Sequence, residues 1–458
     1  MSKQKAIAVF DVGKTNKKLF LFDEDYKIAF EESAKFEEIQ DEDGFPTENL
    51  QELTDWVKEK FDFAANQHDY ELTAVNFSAY GASFVHIDEN DQPITPLYNY
   101  LKPYPGKLKK QFYATYGGES LISQQTASPV LGNLNSGMQL YRLKYERPEV
   151  FSRIKYSLHL PQYLSFILTS QKTADITSIG CHTQLWDFRN NDYHAWVYAE
   201  QLSQKFPALC DASLVHYIEA GKKNISTGIG LHDSSAALIP YMKFFPEPFV
   251  LLSTGTWCIS LNPFNHSPLS DEELHHDCLC YMSYKGLPVK ASRLFAGQEH
   301  EEEIKKLASY FDKNEDYYKS VLFNPVFLKH LDQTGVSQSQ HNNHGMLHKS
   351  VFTKRAINDF GTYEEAYHYL IYDIMQQQVY STKLVLSGTP VKRILVDGGF
   401  GKNDVYMNLL AVSFPGMKIS AASIAQASSL GAAMVLHNHF SGKEIPANVI
   451  QLKDFNQP

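Results

Sequence analysis

One local pattern occurs twice in this chain and limits the folds that it can adopt. Residues 6–22 begin with an apolar run, continue through a polar turn that contains Gly13, and end in a second apolar run. This order predicts a buried strand, a tight loop and a return strand. Residues 249–261 repeat the order about 240 residues later, which predicts two related halves in tandem. Each turn would offer backbone N–H groups to a phosphate.

The first turn also has the ending of a P-loop, Gly13-Lys14-Thr15. A P-loop requires a glycine five residues before that ending, where Ala8 lies instead, and a helix after the threonine. Residues 19–22 predict a strand there, so we interpret the segment as a hairpin. Taken alone, the turn could equally be an ordinary hairpin turn with an exposed lysine.

Length and charge exclude several classes of protein. A chain of 458 residues suggests two or three domains, and its net charge of −10 disfavours nucleic acid or an anionic membrane as the main partner. Five cysteines, a small and odd number, indicate a reducing compartment without a disulfide framework. The N-terminus lacks the apolar segment of a signal peptide, and residues 156–171 are too short and polar to span a bilayer. We therefore expect a cytoplasmic protein.

The segment Gly230–Ala237, at the middle of the chain, places Asp233 ahead of small apolar residues. A short helix is expected to begin behind Asp233 and to be limited by Pro240. The aspartate can be an N-cap that accepts a backbone N–H of the first turn. It can also be a general base presented at a helix N-terminus. The segment alone leaves both roles open.

A glycine-rich turn follows a predicted strand near the end of the chain. Residues 393–396 form the strand, residues 397–403 form the turn, and a helix continues through Leu410, an arrangement that lets a backbone approach a nucleotide. Residues 427–433 predict a helix of small residues that can approach a neighbouring element closely. Further helices are predicted over residues 41–69, 134–145, 160–168, 295–311 and 364–385.

Two segments contain histidine side chains that could bind a metal ion. The polar segment 333–348, with His330 just before it, lacks acidic or cysteine companions and is interpreted as a solvated loop or insertion. In His275–Cys280, neighbouring side chains would point to opposite faces of a strand. Neither segment therefore predicts a metal site.

Taken in order, these segments resemble the FGGY family of carbohydrate kinases, within the actin-like and hexokinase-like ATPase superfamily. The matching pieces extend from residue 6 to about residue 436, which is nearly the whole chain. No single piece is specific to the family, but the pieces in this order are. The resemblance rests on Phe10–Thr15, Pro161–Thr169 with Asp175–Ser178, Gly230–Asp233, Ser253–Thr256 and Gly398–Asn403.

The resemblance implies an α/β fold of two duplicated actin-like (ribonuclease H-like) ATPase domains with an interdomain cleft. It implies an N-terminal domain over residues 1–243, which holds the sugar and the catalytic base, and a C-terminal domain over residues 244–458, which holds adenosine. The implied activity is that of an ATP-dependent sugar kinase with Mg²⁺. Expected partners are ATP and a small sugar, without nucleic acid or membrane, and a homodimer is compatible with this expectation.

The resemblance also implies roles for individual residues. Asp233 would be the base that accepts the proton of a sugar hydroxyl, and Asp11 and Asp233 would be the metal ligands. Tyr80, Gly81 and His232 would contact the sugar. For His232, the alternative is a helix-start histidine bonded to backbone.

ATP would meet residues from both halves of the chain. Lys14 stands where the family usually has a small hydroxyl residue, and it would either place a charge on the phosphates or remain solvated in the turn. The residues implied for ATP are Asp11, Gly13, Lys14, Thr15, Thr254, Gly255, Thr256, Gly399 and Asn403.

The His-Asp pair followed by small residues looks most like the kinases of the 6-deoxy-L-ketoses L-rhamnulose and L-fuculose. Residues 80–88 are similar to the sugar-loop region of rhamnulose kinases, with Ser83 where an acidic residue is usual. This departure concerns the sugar rather than the reaction. Two other classes use such a scaffold: a non-catalytic sugar sensor, for which a basic helix-turn-helix segment is lacking, and an actin- or chaperone-like ATPase.

Overall fold

The computed structural model describes residues 3–221, 223–327, 349–424 and 426–455. The chain divides into two compact units that alternate along the sequence. The first unit comprises Met1–Phe244, Cys280–Pro288 and Ala425–Val449, and the second comprises Phe245–Leu279, Val289–Ile424 and Ile450–Pro458. The division into continuous domains 1–243 and 244–458 stays a prediction.

The main sheet of the first unit has β1 at its centre. β1 pairs antiparallel with β2 and parallel with β6, and the strand order is β13-β14-β6-β1-β2-β3, with β15 also paired to β6. Residues 6–10 are all fully buried, so both faces of the sheet are covered at β1, and the strand is therefore apolar without alternation. The strands before residue 245 are, from β1 to β15, Gln4–Val12, Lys17–Asp23, Ile28–Ala34, Ile39–Gln40, Pro46–Thr47, Tyr70–Ala79, Phe84–Ile87, Tyr156–His159, Ala174–Asp175, Trp186–Asp187, Asp192–Tyr193, Leu209–Cys210, Val215–Ala220, Lys223–Gly228 and Leu231–His232.

The second sheet repeats the arrangement of the first. Its strand order is β18-β19-β17-β16-β20-β21-β22. β16 pairs antiparallel with β17 and parallel with β20, as β1 does with β2 and β6. The tandem repeat predicted from the two hairpins is thus present in the topology. The strands from β16 to β22 are Val250–Thr254, Cys258–Asn262, Cys278–Met282, Pro288–Leu294, Arg393–Gly398, Lys418–Ser423 and Gln451–Phe455.

Helices cover the sheets, and each unit has its own apolar core. One core lies in the second unit, around β16, β20 and the helix Tyr363–Leu386. The first unit contains two, one around β1 and β6 and one around Trp196 and Phe112. The α-helices of the described residues are Leu50–Ala65, Gly106–Thr115, Glu119–Gln125, Ser136–Glu146, Pro148–Arg153, Leu160–Thr169, Ile176–Ile179, Ala195–Ala199, Asp233–Phe244, Asp271–His275, Ala296–Tyr310, Tyr363–Leu386, Asp404–Ser413, Ala427–Val435 and His437–Phe440.

Two helix predictions were wrong at their boundaries. The predicted helix 41–69 begins only at Leu50, because Asp41 accepts the N–H groups of Asp43 and Phe45 in a turn that a helix would exclude. Pro240 does not end the central helix, which continues to Phe244. The carbonyl of Ala236, which Pro240 cannot bond, instead faces the helix Ala427–Val435.

The remaining local predictions have different outcomes. The helices near residues 134–145, 160–168, 295–311 and 364–385 are confirmed. The segment His275–Cys280 is not one strand, because a helix ends at His275 and a strand begins at Cys278. The histidine-rich segment 333–348 lies outside the described residues, as does His330. Among the helices that the structure describes, none is long and apolar enough to cross a membrane.

Candidate active site

Asp11 lies near the carboxyl end of β1, two residues before the loop of residues 13–16. Its Oδ2 accepts hydrogen bonds from the hydroxyls of Ser428 and Ser429, at 2.8 and 2.9 Å. Burial raises the pKa of Asp11, the serine hydroxyls lower it, and the charge of Asp233 raises it further. The charge of Asp233 therefore acts on the ionisation of Asp11.

The helix Ala427–Val435 brings the two serines to Asp11. A Cβ at Gly431 would overlap the carbonyl oxygen of Ala236, so only glycine permits the approach of this helix to the helix Asp233–Phe244. The close approach expected from its small residues is confirmed. Ser428 and Ser429 were not among the site residues predicted from the sequence, although a pair of serines at the start of a small-residue helix could have indicated a role for them.

Asp233 is the first residue of its helix. Its Oδ1 accepts the N–H of the adjacent Ser234 at 2.6 Å, which differs from the N2 or N3 contact of an N-cap. Burial raises the pKa of Asp233 to about 6, and the bonds from Ser234 oppose this shift. A carboxylate with such a pKa remains largely ionised at neutral pH and is more basic than an ordinary aspartate.

His232 is almost fully buried beside Asp233. Its Nε2 lies 3.1 Å from Oδ1 of Asp233 and 3.1 Å from Sγ of Cys181, and its ring stacks on Tyr281. Burial lowers the pKa of His232 to about 3, so the imidazole is neutral. Its backbone N–H donates to the hydroxyl of Thr177, and its Nδ1 lies 3.4 Å from Oγ of Ser235. Both roles expected for His232, the sugar contact and the helix-start bond to backbone, stay predictions.

Tyr80 and Gly81 follow β6 at the same edge of the sheet. The Tyr80 hydroxyl is buried and donates to Glu48 at 2.9 Å. A Cβ at Gly81 would lie 3.0 Å from Sγ of Cys181 and from Cδ2 of His232. The structure thus brings together Gly81 and His232, which were both predicted to contact the sugar. It also bonds the Tyr80 hydroxyl to Glu48, a residue that the sequence did not predict at the site.

The loop after β1 is closed by a hydrogen bond from Gly13 N–H to the carbonyl of Asn16, at 2.9 Å. Thr15 is exposed at its tip. Lys14 is half-buried and its Nζ lies 2.6 Å from Glu38. The strand that follows the loop confirms the hairpin interpretation over the P-loop.

The second hairpin loop belongs to the second unit. The hydroxyl of Thr254 donates to the carbonyl of Asp397 at 2.6 Å and accepts the N–H of Phe400 at 3.0 Å. Gly255 N–H donates to the carbonyl of Trp257, and the carbonyl of Thr256 accepts a backbone N–H from the helix Ala296–Tyr310. These bonds fix the loop to the glycine-rich turn and to a helix start.

The glycine-rich turn approaches the second loop closely. Gly398 has φ +90°, and a Cβ there would overlap the carbonyl oxygen of Thr254. Among the residues that the structure describes, none has an atom within 4 Å of the position that a Cβ of Gly399 would occupy, so this side of Gly399 is open to them. Asn403 is the N-cap of the next helix and also donates to the Tyr367 hydroxyl, so both ends of its amide are engaged.

A pocket of about 490 Å³ lies where β20 and β21 end. Gly398, Gly401 and Lys402 line one side of it, and β22 lines the other. Neither Gly399 nor Asn403, which were predicted for adenosine, is among its lining residues. Crevices at the carboxyl ends of parallel strands are common ligand sites in α/β sheets.

No cluster of three or more metal-ligating His, Cys, Asp or Glu side chains occurs in the described part of the chain. A Mg²⁺ ion that travels with ATP needs only one or two carboxylates, because phosphates and water complete its shell. The pair Asp11 and Asp233 has suitable hard oxygens in the first unit. The donor set therefore fits such an ion.

Comparison with known proteins gives consistent matches over both units. Residues 6–239 match the N-terminal domain of the FGGY family of carbohydrate kinases, and residues 246–444 match the FGGY carbohydrate kinase C-terminal domain. The rhamnulokinase of Halalkalibacterium halodurans is 24% identical over 260 residues, which are 54% of this chain and 54% of that protein. The rhamnulokinase of Oceanobacillus iheyensis is 21% identical over 45% of this chain and 44% of its own length. The matches therefore span about half the length of these curated relatives.

Solved structures resemble the whole chain. A carbohydrate kinase from Novosphingobium aromaticivorans superposes with a TM-score of 0.79 at 21% identity, over 100% of this chain and 95% of that one. A xylulose kinase from Lactobacillus acidophilus gives a TM-score of 0.78 at 17% identity, over 99% and 94% of the two chains. At these identities the likeness establishes the two-domain fold.

Proposed function

The chain belongs to the FGGY family of carbohydrate kinases, and from that membership we propose that it transfers the γ-phosphate of ATP to a hydroxyl group of a small sugar. The observation that carries the proposal is the aspartate pair of the first unit. Asp233 has a pKa of about 6, in contact with a neutral His232, and it lies within electrostatic reach of Asp11. Such a pair offers Asp233 for proton transfer and carboxylate oxygens of both residues for a cation.

In the proposed reaction Asp233 is the general base. A sugar hydroxyl gives its proton to the Asp233 carboxylate while its oxygen forms a bond to the γ-phosphorus. The bond from that phosphorus to the oxygen bridging the β- and γ-phosphates breaks, and ADP leaves with the electron pair. Because phosphoryl transfer needs mainly positioning and charge neutralisation, the protein has little covalent chemistry to perform.

The cation is assigned to the same pair. Mg²⁺ would be held by Asp11, with Asp233 as the second carboxylate, and it would supply neutralisation of the phosphate charge. The serine bonds to Oδ2 keep the Asp11 carboxylate in a single orientation. Burial alone would favour its protonation, so a bound cation would also restore the ionised form.

ATP is proposed to use both hairpin loops and the glycine-rich turn. Gly13 and Thr15 would meet the phosphates from the first loop, and Thr254, Gly255 and Thr256 from the second. Gly399 is the better candidate for adenosine because its open side leaves room for a ligand. The amide of Asn403 already bonds Tyr367 and Tyr406. Asn403 would therefore affect adenosine binding indirectly, by fixing the end of the glycine-rich turn.

For the sugar we propose a ketose such as L-rhamnulose or L-fuculose. The proposal is supported by the His232-Asp233 pair and by the rhamnulokinases among the relatives. Gly81 and His232 would lie at the sugar, with Nε2 of the neutral imidazole able to exchange a hydrogen bond with a hydroxyl.

A coupled ADP-release assay tests this proposal. It would contain ATP, Mg²⁺ and a panel of ketoses, polyols and aldoses that includes L-rhamnulose, L-fuculose and xylulose. ADP release that depends on one sugar is the expected result. ATP hydrolysis without any sugar dependence would favour an actin- or chaperone-like ATPase. Sugar binding without turnover on any member of the panel would favour a non-catalytic sensor, and either result would overturn the proposal.

A further inference from the structure

A buried ion pair connects the first hairpin loop to the segment that carries Tyr80. Lys17, the first residue of β2, pairs through its Nζ with Oε1 of Glu48, and both side chains are about 4% exposed or less. The other oxygen of Glu48 accepts the hydroxyl of Tyr80 at 2.9 Å. We call Lys17, Glu48 and Tyr80 the buried triad.

The triad is anchored at both of its ends. At one end, Nζ of Lys17 donates to the carbonyl of Lys14 at 3.3 Å, inside the loop of residues 13–16, and lies 5.5 Å from the centre of the Phe36 ring. At the other end, the backbone N–H of Tyr80 donates to the carbonyl of Val12. The ammonium of Lys17 thus bonds the loop, and the backbone of Tyr80 bonds the residue just before it. The carboxylate of Glu48 joins the ammonium to the Tyr80 hydroxyl.

The Tyr80 end of the triad lies close to the candidate base. Gly81 follows Tyr80 and contacts His232, the neighbour of Asp233. The Tyr80 ring packs edge-on against Tyr100 at 6.0 Å, and the negative charge of Asp233 contributes to the raised pKa of Tyr100, after burial. One continuous set of contacts therefore leads from the loop, through Glu48, to the surroundings of Asp233.

We propose that Lys17, Glu48 and Tyr80 are positioning residues that hold the loop of residues 13–16 and the segment 80–81 in one fixed arrangement. The inference rests on the proposed kinase function, which assigns the loop to phosphate and Gly81 to the sugar. It changes the role expected for Tyr80. Its hydroxyl orients Glu48 and does not contact the sugar.

The physical basis is the cost of burying charge. A buried carboxylate is retained only if opposite charge and hydrogen bonds satisfy it, and here Lys17 and Tyr80 supply both. Any movement of the loop that separates Lys17 from Glu48 would leave two unpaired charges in the interior. The arrangement therefore resists loosening at either end, which favours a preorganised site.

The first unit contains a second Lys–Glu–Tyr cluster that serves as a matched control. Glu200 pairs with Lys144 and accepts the hydroxyl of Tyr116, with side-chain exposures of 29% for Lys144 and 6% for Glu200. The chemistry is the same, but this cluster joins the helix Ser136–Glu146 to the residue after the helix Ala195–Ala199. None of its members belongs to the candidate site.

The test compares Tyr80→Phe and the double variant Lys17→Met/Glu48→Gln with Lys144→Met/Glu200→Gln. The double variants remove both charges at once, so that neither leaves a lone buried charge, and glutamine can still accept the tyrosine hydroxyl. The first readout is amide hydrogen exchange in peptides covering residues 12–17 and 78–82. Because this readout needs no substrate, it tests the triad even if no sugar supports turnover.

We expect Tyr80→Phe and Lys17→Met/Glu48→Gln to accelerate amide exchange about tenfold in both peptides. This is the size of effect expected from the loss of one hydrogen bond to a charged group. The control variant should leave both peptides unchanged. Acceleration confined to one peptide, or equal acceleration in the control, would overturn the proposal.

The second readout is the split between kcat and KM on the sugar found in the ADP-release assay. If Tyr80 positions the site, Tyr80→Phe lowers kcat while the KM for sugar stays within about twofold of wild type. A rise in the KM for sugar without a change in kcat would assign the hydroxyl to sugar binding and overturn the proposal. Absence of turnover in the wild-type protein would instead contradict the kinase function, and the exchange readout would still decide the role of the triad.

Discussion

The turn after β1 and the turn after β16 follow strands that have the same neighbours, one antiparallel and one parallel. In both turns a glycine N–H donates to a carbonyl within the turn, at 2.9 Å. The polar side chain ahead of the glycine differs. In the first unit it is Asp11, two residues ahead of Gly13, a carboxylate held by two serine hydroxyls. In the second it is Thr254, directly ahead of Gly255, whose hydroxyl bonds only backbone groups in the described structure.

This difference shows how the two halves of a duplicated scaffold can take different roles. A carboxylate with a second carboxylate near it can bind a cation or transfer a proton. A hydroxyl that bonds Asp397 and Phe400 serves to hold a glycine-rich turn in place. We therefore expect changes at the first turn to affect the chemical step and changes at the second to affect nucleotide binding.

The largest effect that sharpens the comparison is expected from Asp11→Asn. The amide keeps the shape of the side chain but removes the charge, so we expect kcat to fall about 10²- to 10³-fold, as on loss of a strong electrostatic contact in the transition state. Steady-state kinetics with the preferred sugar provide the measurement, and thermal melting provides the control for folding. A loss of less than tenfold would mean that the two turns do not differ in this way.

The pH dependence of the reaction comes next in size. Burial raises the pKa of Asp233 to about 6, so the protonated form, which cannot accept a proton, accumulates below that pH. We expect kcat/KM to fall about tenfold per pH unit below about pH 6 and to be level above it. A quenched assay of ADP at constant ionic strength avoids pH effects on coupling enzymes. A level profile down to pH 5 would contradict the assignment.

In the second unit, Gly398→Ala is expected to weaken nucleotide binding about tenfold, because the added methyl group would displace the Thr254 carbonyl and with it the second turn. The residue has φ +90° and no room for a Cβ beside the Thr254 carbonyl. Gly416→Ala is the matched control, because Gly416 has φ +80° but an open side. Calorimetry with ATP measures both variants. Equal weakening in the two would show that strain alone, and not the contact with the second turn, is responsible.

The smallest effect is expected at the tip of the first turn. Lys14 is paired with Glu38 in a half-exposed position, so Lys14→Met should raise the KM for ATP by less than about threefold. Glu38→Gln, which frees the lysine, is the companion variant. A rise of tenfold or more in Lys14→Met would show that the lysine leaves Glu38 to bind phosphate, and would add its charge to the phosphate contacts proposed for Gly13 and Thr15.

The sequence predicted the parts of this molecule that depend on local pattern. The two hairpins, the strand before the glycine-rich turn and the close-packed helix of small residues follow from apolar runs and turn residues. Ser428 and Ser429 were missed because they contact Asp11 from more than 400 positions away along the chain.

Other features were not predicted from the sequence because they depend on contacts that form only in the folded chain. Glu48 and Lys17 resemble surface residues until folding places them against each other. The division into units was also beyond local pattern, because Cys280–Pro288 and Ala425–Val449 return to the first unit through tertiary contacts. Pro240 was expected to stop a helix, but the helix continues, and Gly431 lies against the carbonyl of Ala236, to which Pro240 has no N–H to donate.

The most direct measurement is sugar-dependent ADP formation by Asp233→Asn, together with ATP binding by the same variant. The account predicts that turnover falls about 10³-fold, the usual range for loss of a general base, while ATP affinity stays within about twofold. Thermal stability at pH 7 should not decrease, because the change removes a carboxylate that burial disfavours in its charged form. Near wild-type turnover in Asp233→Asn would contradict the central claim that the first unit supplies the base.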